Sequence, residues 1–251
     1  MEVGAAGNKN NMKIDMLIGS LSVSLLVALP TKAQGTFQNL NFESADLSAI
    51  PAGQYGGLVP IASALPGWGA TVDGVAVTQI FQNNYTITGP SVDIFGPNWN
   101  SVNPGIIDGN YTVFLQSVAV PGETDDASIS QSGAIPSGTE SIQLKAWSVQ
   151  ATPEFSVSFD GNNLSAVALS TGQSASGQEY TVYGFNVAAY SGDSGQLQIA
   201  TFVPSGNGQS EVEFDDIAFS PQAVPEPDPL ALTGIGAVLF ALYRRFAPKR
   251  Q

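Results

Sequence analysis

The sequence predicts an all-β protein, an antiparallel β-sandwich of two packed sheets. Three observations carry that expectation. From Thr36 to Ser220 apolar residues recur at every second position in short runs, and no segment sustains a 3.6-residue period. Gly, Asn, Asp, Ser and Pro interrupt the runs at strand-length intervals, and about nine such runs fit the span, enough for two facing sheets.

The elements are expected in the following order. Residues 1–33 read as an export signal-peptide helix. Lys13 precedes the apolar run Met16 to Leu29, and PTKAQ then places Thr31 at −3 and Ala33 at −1 of a small-residue cleavage site. Signal peptidase is expected to cut after Ala33. Met12 to Ala33 is a complete signal alone, so residues 1–11 also fit a misassigned start. Residues 34–221 form the sandwich, with strands expected at 36–43, 75–81, 91–96, 111–117, 141–149, 180–187, 195–203 and 211–220. In EFSVSFDGNNLSAVALS, Phe155, Val157 and Phe159 share one face and DGNN is a tight-turn signal, with Leu164, Ala166 and Ala168 continuing the inner face of the return strand. Residues 222–229 are a Pro-rich linker, which cannot join a central strand. Residues 230–251 are a short hydrophobic helix and a basic tail.

Charge narrows the function classes. Residues 34–224 hold 17 Asp and Glu against one basic residue, Lys145, a formal net charge of 1 − 17 = −16. Such a surface repels phosphate backbones and anionic lipid, so nucleic acid is excluded as a partner. The chain has no Cys and no His, which removes disulfides, thiolate chemistry and His-based triads.

Leu230 to Tyr243 is an apolar run of 14 residues, about 21 Å as a helix against a hydrocarbon core of roughly 30 Å. Arg244, Arg245, Lys249 and Arg250 follow it, half of the eight basic residues in the chain, and the positive-inside rule keeps that end cytoplasmic. Val224-Pro225-Glu226-Pro227, the short Gly-punctuated apolar segment and the Arg-rich end together resemble the PEP-CTERM sorting signal. In that family the tail is recognised and removed by a membrane-embedded exosortase. The resemblance implies a precursor tethered to the inner membrane by its C-terminal helix, then release to the cell surface or exopolysaccharide matrix of a Gram-negative bacterium. Its sorting residues here are Pro225, Glu226, Pro227, Arg244 and Arg245; the plain alternative is a permanent anchor. Asp228-Pro229 departs from the pattern by making the helix entry more polar.

The body carries a second resemblance. FQNLNFESAD near its start, ALPGWGA at 64–70 and the closing VEFDDIAFS resemble galactose-binding-like jelly rolls of the carbohydrate-binding-module type. In such jelly rolls the first and last strands lie close together and a structural Ca²⁺ often bridges them. Glu43 and Asp216 are the expected ligands, with Asp215 as alternate and Asn41 as helper; the competing reading is an exposed acidic pair. The cluster Glu123, Asp125 and Asp126 reads as a solvated loop without the spacing of an EF-hand.

Sugar recognition needs aromatic faces for pyranose rings and polar groups for hydroxyls. Trp99, in a turn-rich loop, and Trp147, which shares strand parity with Gln143 and Lys145, are the expected ligand-binding aromatics, each against a packing alternative. Trp68 is expected to be buried. Neither a phosphate loop nor a Gly-x-Ser-x-Gly elbow occurs. The expected function is therefore a non-catalytic carbohydrate-binding or structural module of an exported protein, with extracellular polysaccharide as partner. A polysaccharide hydrolase or lyase using Asp or Glu is the alternative.

Overall fold

A computed structural model describes Met1 and residues 36–225, apart from 86–87, 102–103, 121–122, 149–153 and 204–207. The signal peptide with Ala33, and the tail with Glu226, Pro227, Arg244 and Arg245, lie outside the described residues. Pro225 is the last described residue and is exposed.

In chain order the strands are β1 (Leu58–Pro60), β2 (Gly69–Val72), β3 (Val75–Val77), β4 (Gln79–Gln82), β5 (Ser91–Phe95), β6 (Thr112–Val120), β7 (Glu123–Asp125) and β8 (Ala127–Ala134). They continue with β9 (Ser141–Ser148), β10 (Phe155–Phe159), β11 (Asn162–Leu164), β12 (Ala166–Gln173), β13 (Glu179–Asn186), β14 (Ser194–Thr201) and β15 (Gly208–Ser220). One helical turn, α1 (Ile61–Ala64), follows β1. The larger sheet runs β1-β4-β5-β6-β15-β9-β13-β12, with β7 beside β6, and the smaller runs β11-β10-β14-β8-β2-β3. From β6 onward the chain passes repeatedly between the sheets, giving a β-sandwich of jelly-roll type with one parallel pair, β4–β5.

Alternation builds the core between them. Ile142, Leu144 and Ala146 of β9 and Val212 and Phe214 of β15 are buried against Ile129 of β8, Val157 of β10 and Leu197 and Ile199 of β14. Phe155, Val157 and Phe159 are buried as their spacing predicts. Asp160 and Gly161, both at positive φ, make the two-residue turn that pairs Phe159 with Asn162. Asp73-Gly74 does the same between β2 and β3, a signal of equal strength in the sequence.

Three expectations change. Residues 36–43 are not a strand: Thr36 makes one isolated bridge to Ala134, and Asn39 and Phe42 adopt φ of 49° and 56°, which turn the chain out of extended geometry. The segment is held instead by Gln131, whose side-chain amide accepts from the Gln38 N–H and donates to the Gln38 carbonyl. The run 75–81 divides at Thr78, β3 joining the smaller sheet and β4 the larger. The return strand after Asp160-Gly161 ends at Leu164; Ala166 and Ala168 belong to β12, at the far edge of the other sheet, where both are exposed. The polar strand β8 was not expected, because its Ser and Gln residues hide the alternation of Ile129 and Gln131.

The chain ends meet at β15. A bulge there leaves Asp216 at φ 51°, and the next amide, Ile217 N–H, donates to the Leu40 carbonyl at 2.9 Å. Beneath this junction Phe42 is fully buried between Trp68 (ring centroids 5.8 Å) and Phe214 (5.7 Å). Trp68 is buried as expected, its indole N–H donating to the Asn39 carbonyl. Phe42→Ala is expected to lower unfolding free energy by about 3–5 kcal/mol in chemical denaturation, because the ring fills the seam between the N-terminal segment and β15.

Candidate functional site

The outer face of the larger sheet decides the chemistry. Register places Asp93, Phe114, Glu213 and Trp147 in one row across β5, β6, β15 and β9, and Asp215 beside Lys145 in the next. Alternation therefore aims Glu211, Glu213 and Asp215 outward from a central strand. Yet Glu213 and Asp215 are buried, because the segment 96–110 folds over them with Pro104, Gly105 and Ile107 buried beneath it.

Burial raises the proton affinity of these acids. Asp93 is pushed well above the ordinary carboxylate range by desolvation, only partly offset by the Asn84 amide, which donates to its Oδ2 at 3.1 Å. Glu213 is pushed well up by desolvation and by neighbouring Glu211 and Asp215. The Gly105 amide points towards it, but neither carboxylate oxygen completes a well-formed hydrogen bond. Asp215 is pushed up to about 8 by desolvation, against the Thr112 hydroxyl (2.7 Å) and the amides of Asp216 and Asp108.

The expected metal residues converge. Asn41, Glu43, Asp108, Gly109, Asp215 and Asp216 line one small cavity of about 140 Å³. Asp108 is the member sequence reasoning missed; DGN at 108–110 carried a turn signal but no sign of where the turn would land. Glu43 Oε1 accepts from the backbone amides of Asn110 (2.8 Å) and Tyr111 (2.9 Å), and Oε2 accepts from the Asn110 side chain (2.9 Å). Lys145 donates to Asp108 Oδ2 and lies 3.0 Å from Asp216 Oδ2. Partial burial works against its charge, yet those two partners hold its pKa above the ordinary lysine value. The hydrogen bond from Lys145 conversely lowers the pKa of Asp108.

Beside this cluster a cleft of about 400 Å³ opens between segment 96–110 and the β12–β13 turn. Trp99, Asp108 and Asn110 line one side, Gln173, Ser174 and Ser176 the other, and Lys145 and Tyr180 the floor. The Ser176 hydroxyl donates to the Ile106 carbonyl and fixes the span. Tyr180 lies flat across Gly172, where a Cβ would come within 2.6 Å of its ring, and the Lys145 ammonium sits 5.5 Å from the ring centroid. Trp147 is half-buried with Gln143 and Lys145, as its parity predicts. With Tyr180 it lines an adjoining cavity of about 480 Å³ that shares Gln173 with the first.

Trp99 is half-buried, so its loop does supply it with a packing surface. It stacks on Phe95 at 4.4 Å and donates its indole N–H to the Pro104 carbonyl. It also meets Tyr85 (5.6 Å) and Tyr55 (6.3 Å), forming a third cavity of about 290 Å³ with Asn98, Asn100 and Gln54. Trp99 and Asn98 thus border two cavities at once. Neither Tyr55 nor Tyr85 stood out in the sequence, being 30 residues apart in irregular segments.

No family model matches the sequence, and no curated protein matches it. Among solved structures, a family 27 carbohydrate-binding module from Caldicellulosiruptor saccharolyticus in complex with mannohexaose is 15% identical at a TM-score of 0.35, covering 55% of this chain and 85% of that one. A family 11 carbohydrate-binding module from Clostridium thermocellum with a β-1,3-1,4-mixed-linked tetrasaccharide is 11% identical at 0.34, covering 71% and 100%. A family 29 carbohydrate-binding module variant is 16% identical at 0.29, covering 68% and 97%. At these scores the likeness assigns neither a ligand nor a residue to this chain.

The buried acids set a pH dependence. A carboxyl with a raised folded pKa keeps its proton in the native state after the unfolded chain has released it. Stability therefore falls as pH rises, from near 4 in the unfolded chain to about 8 for Asp215. Asp108, with a lowered pKa, acts oppositely, and only below its ordinary range. The unfolding midpoint is expected to be higher in mild acid than in mild alkali. Glu213→Gln should stabilise the protein in mild alkali, with the gain vanishing near pH 4; a constant difference across that range would contradict the assignment.

Proposed function

We propose that the sandwich is a non-catalytic carbohydrate-binding domain of an exported protein, and that the cleft between segment 96–110 and the β12–β13 turn is where it meets extracellular polysaccharide. The observation that carries this reading is the grouping of Trp99, Tyr180 and Trp147 around adjoining cavities that also present the amides and hydroxyls of Asn98, Asn110, Gln173, Ser174, Ser176 and Thr171. Aromatic faces shed water readily against the C–H face of a pyranose, and Asn110, Gln173, Ser174 and Ser176 offer fixed hydrogen bonds for hydroxyls. The floor suits an uncharged sugar, since Lys145 is already paired with two carboxylates.

The hydrolase or lyase alternative draws no support from the acids. Those whose proton affinity is raised most, Asp93, Glu213 and Asp215, are buried and border none of these three cavities.

Export and sorting rest on the sequence. The signal peptide ending at Ala33 is the substrate expected for signal peptidase, and the Pro225-Glu226-Pro227 motif with Arg244 and Arg245 is the one expected for exosortase. The proposed route is an inner-membrane-tethered precursor that becomes a cell-surface or exopolysaccharide-matrix protein.

Two measurements test these readings. On a glycan panel the purified protein should retain a polysaccharide without releasing oligosaccharide, and Tyr180→Ala and Trp147→Ala should each weaken retention about tenfold or more. Released product would favour the hydrolytic alternative. Mass spectrometry of the protein from its native host should find a C-terminus near Pro225; an intact end bearing Arg244 and Arg245 would favour a permanent anchor.

A further inference from the structure

The jelly-roll resemblance implies a Ca²⁺ joining the chain ends, and the residues expected to hold it do converge on one small cavity. Their surroundings, however, have the polarity of an anion site. Glu43 faces N–H groups: two backbone amides and the Asn110 side chain occupy both its oxygens. Gly109, at φ 55°, packs so tightly against it that a Cβ there would lie 2.3 Å from Oε1. Asp215 also spends both oxygens, Oδ2 on the Thr112 hydroxyl and the Asp108 amide, Oδ1 on the Asp216 amide. A hard divalent cation needs six to eight free oxygens, and these carboxylates offer few. Among the described residues no group of three or more acids is arranged to hold a metal ion.

The remaining two acids, Asp108 and Asp216, come from the covering segment and from the bulge of β15, and both line the cavity where the ion was expected. Between them stands the one basic side chain of residues 34–224. Strand register puts it there: Lys145 pairs with Asp215, one residue before the bulge that swings Asp216 towards its ammonium.

We propose that Lys145 takes the place of the divalent cation at this junction. Its ammonium ties segment 96–110 to the end of β15, and the sandwich closes without a metal ion. The inference stands apart from the glycan reading, since it concerns closure of the domain and is read by stability and metal content. Lysine suits the task where calcium does not: three N–H donors reach two acceptors and an aromatic face without stripping the other acids of their amide partners.

The test is thermal unfolding of the purified protein after chelation, with and without millimolar Ca²⁺, alongside metal analysis of the gel-filtered protein. The expected result is an unchanged midpoint in every condition and no stoichiometric calcium. Lys145→Met should lower the midpoint by about 5 °C or more, and adding Asp108→Asn and Asp216→Asn to that variant should recover much of the loss, which a purely packing role for the lysine stem would not do. A midpoint that drops on chelation, calcium retained at one ion per chain, or a Lys145→Met protein as stable as its parent would each overturn the proposal. Should Lys145→Met not fold, Lys145→Arg is expected to fold and to remain insensitive to chelation; sensitivity there would count against it equally.

Discussion

β15 lies at the centre of the larger sheet with both edges paired, and its acidic outer face is covered by chain rather than left to water. Its inner residues Val212 and Phe214 join the core without cost, but Glu213 and Asp215 come from water into a site where charge is heavily penalised. Much of the larger sheet follows from this constraint. The segment 96–110 that covers those acids is pinned at Thr112, at Asp215 and at Glu43. Its edge then becomes a wall of the cleft, and its aromatic Trp99 is propped on Phe95. The candidate binding surface is a by-product of how a central strand hides its carboxylates.

The architecture was legible because it rests on alternation and on turns. Ile142, Leu144 and Ala146 in β9, or Phe155, Val157 and Phe159 in β10, announce a two-sided strand whatever their neighbours do. The Asp160-Gly161 turn needs only its own backbone. What could not be read was sheet membership: nothing in NLSAVALS marks that the chain leaves one sheet after Leu164 and begins the far edge of the other at Ala166. Residues 36–43 alternate like a strand, and left-handed Asn39 and Phe42, both in contact with Trp68, break the run beside Gln38, which Gln131 holds.

The site was partly legible for similar reasons. Parity alone puts Trp147 and Lys145 on the outer face, and the acidic pair after Phe214 marked the meeting of the chain ends. That Lys145 bridges Asp216 to Asp108 was hidden because Asp108 sits 37 residues away in a loop, and loops carry no register to project from. Trp99 shows the converse: its loop gives it a packing partner in Phe95, four residues back, while Tyr55 and Tyr85 arrive from segments whose meeting no local pattern encodes.

The last described turn of chain has a geometric corollary. After β15 the chain runs back along β9, where the Ser141 hydroxyl donates to the Gln222 carbonyl, and Val224 packs over Gly184 on the outer side of β13. The polypeptide thus leaves the domain beside the strand that carries Tyr180, four residues or roughly 13 Å from it. Five residues separate Val224 from Leu230, a leash of at most about 20 Å even when drawn straight. Were a membrane to hold the following segment, as proposed above, it would lie near the same sheet face and crowd a long polymer approaching it.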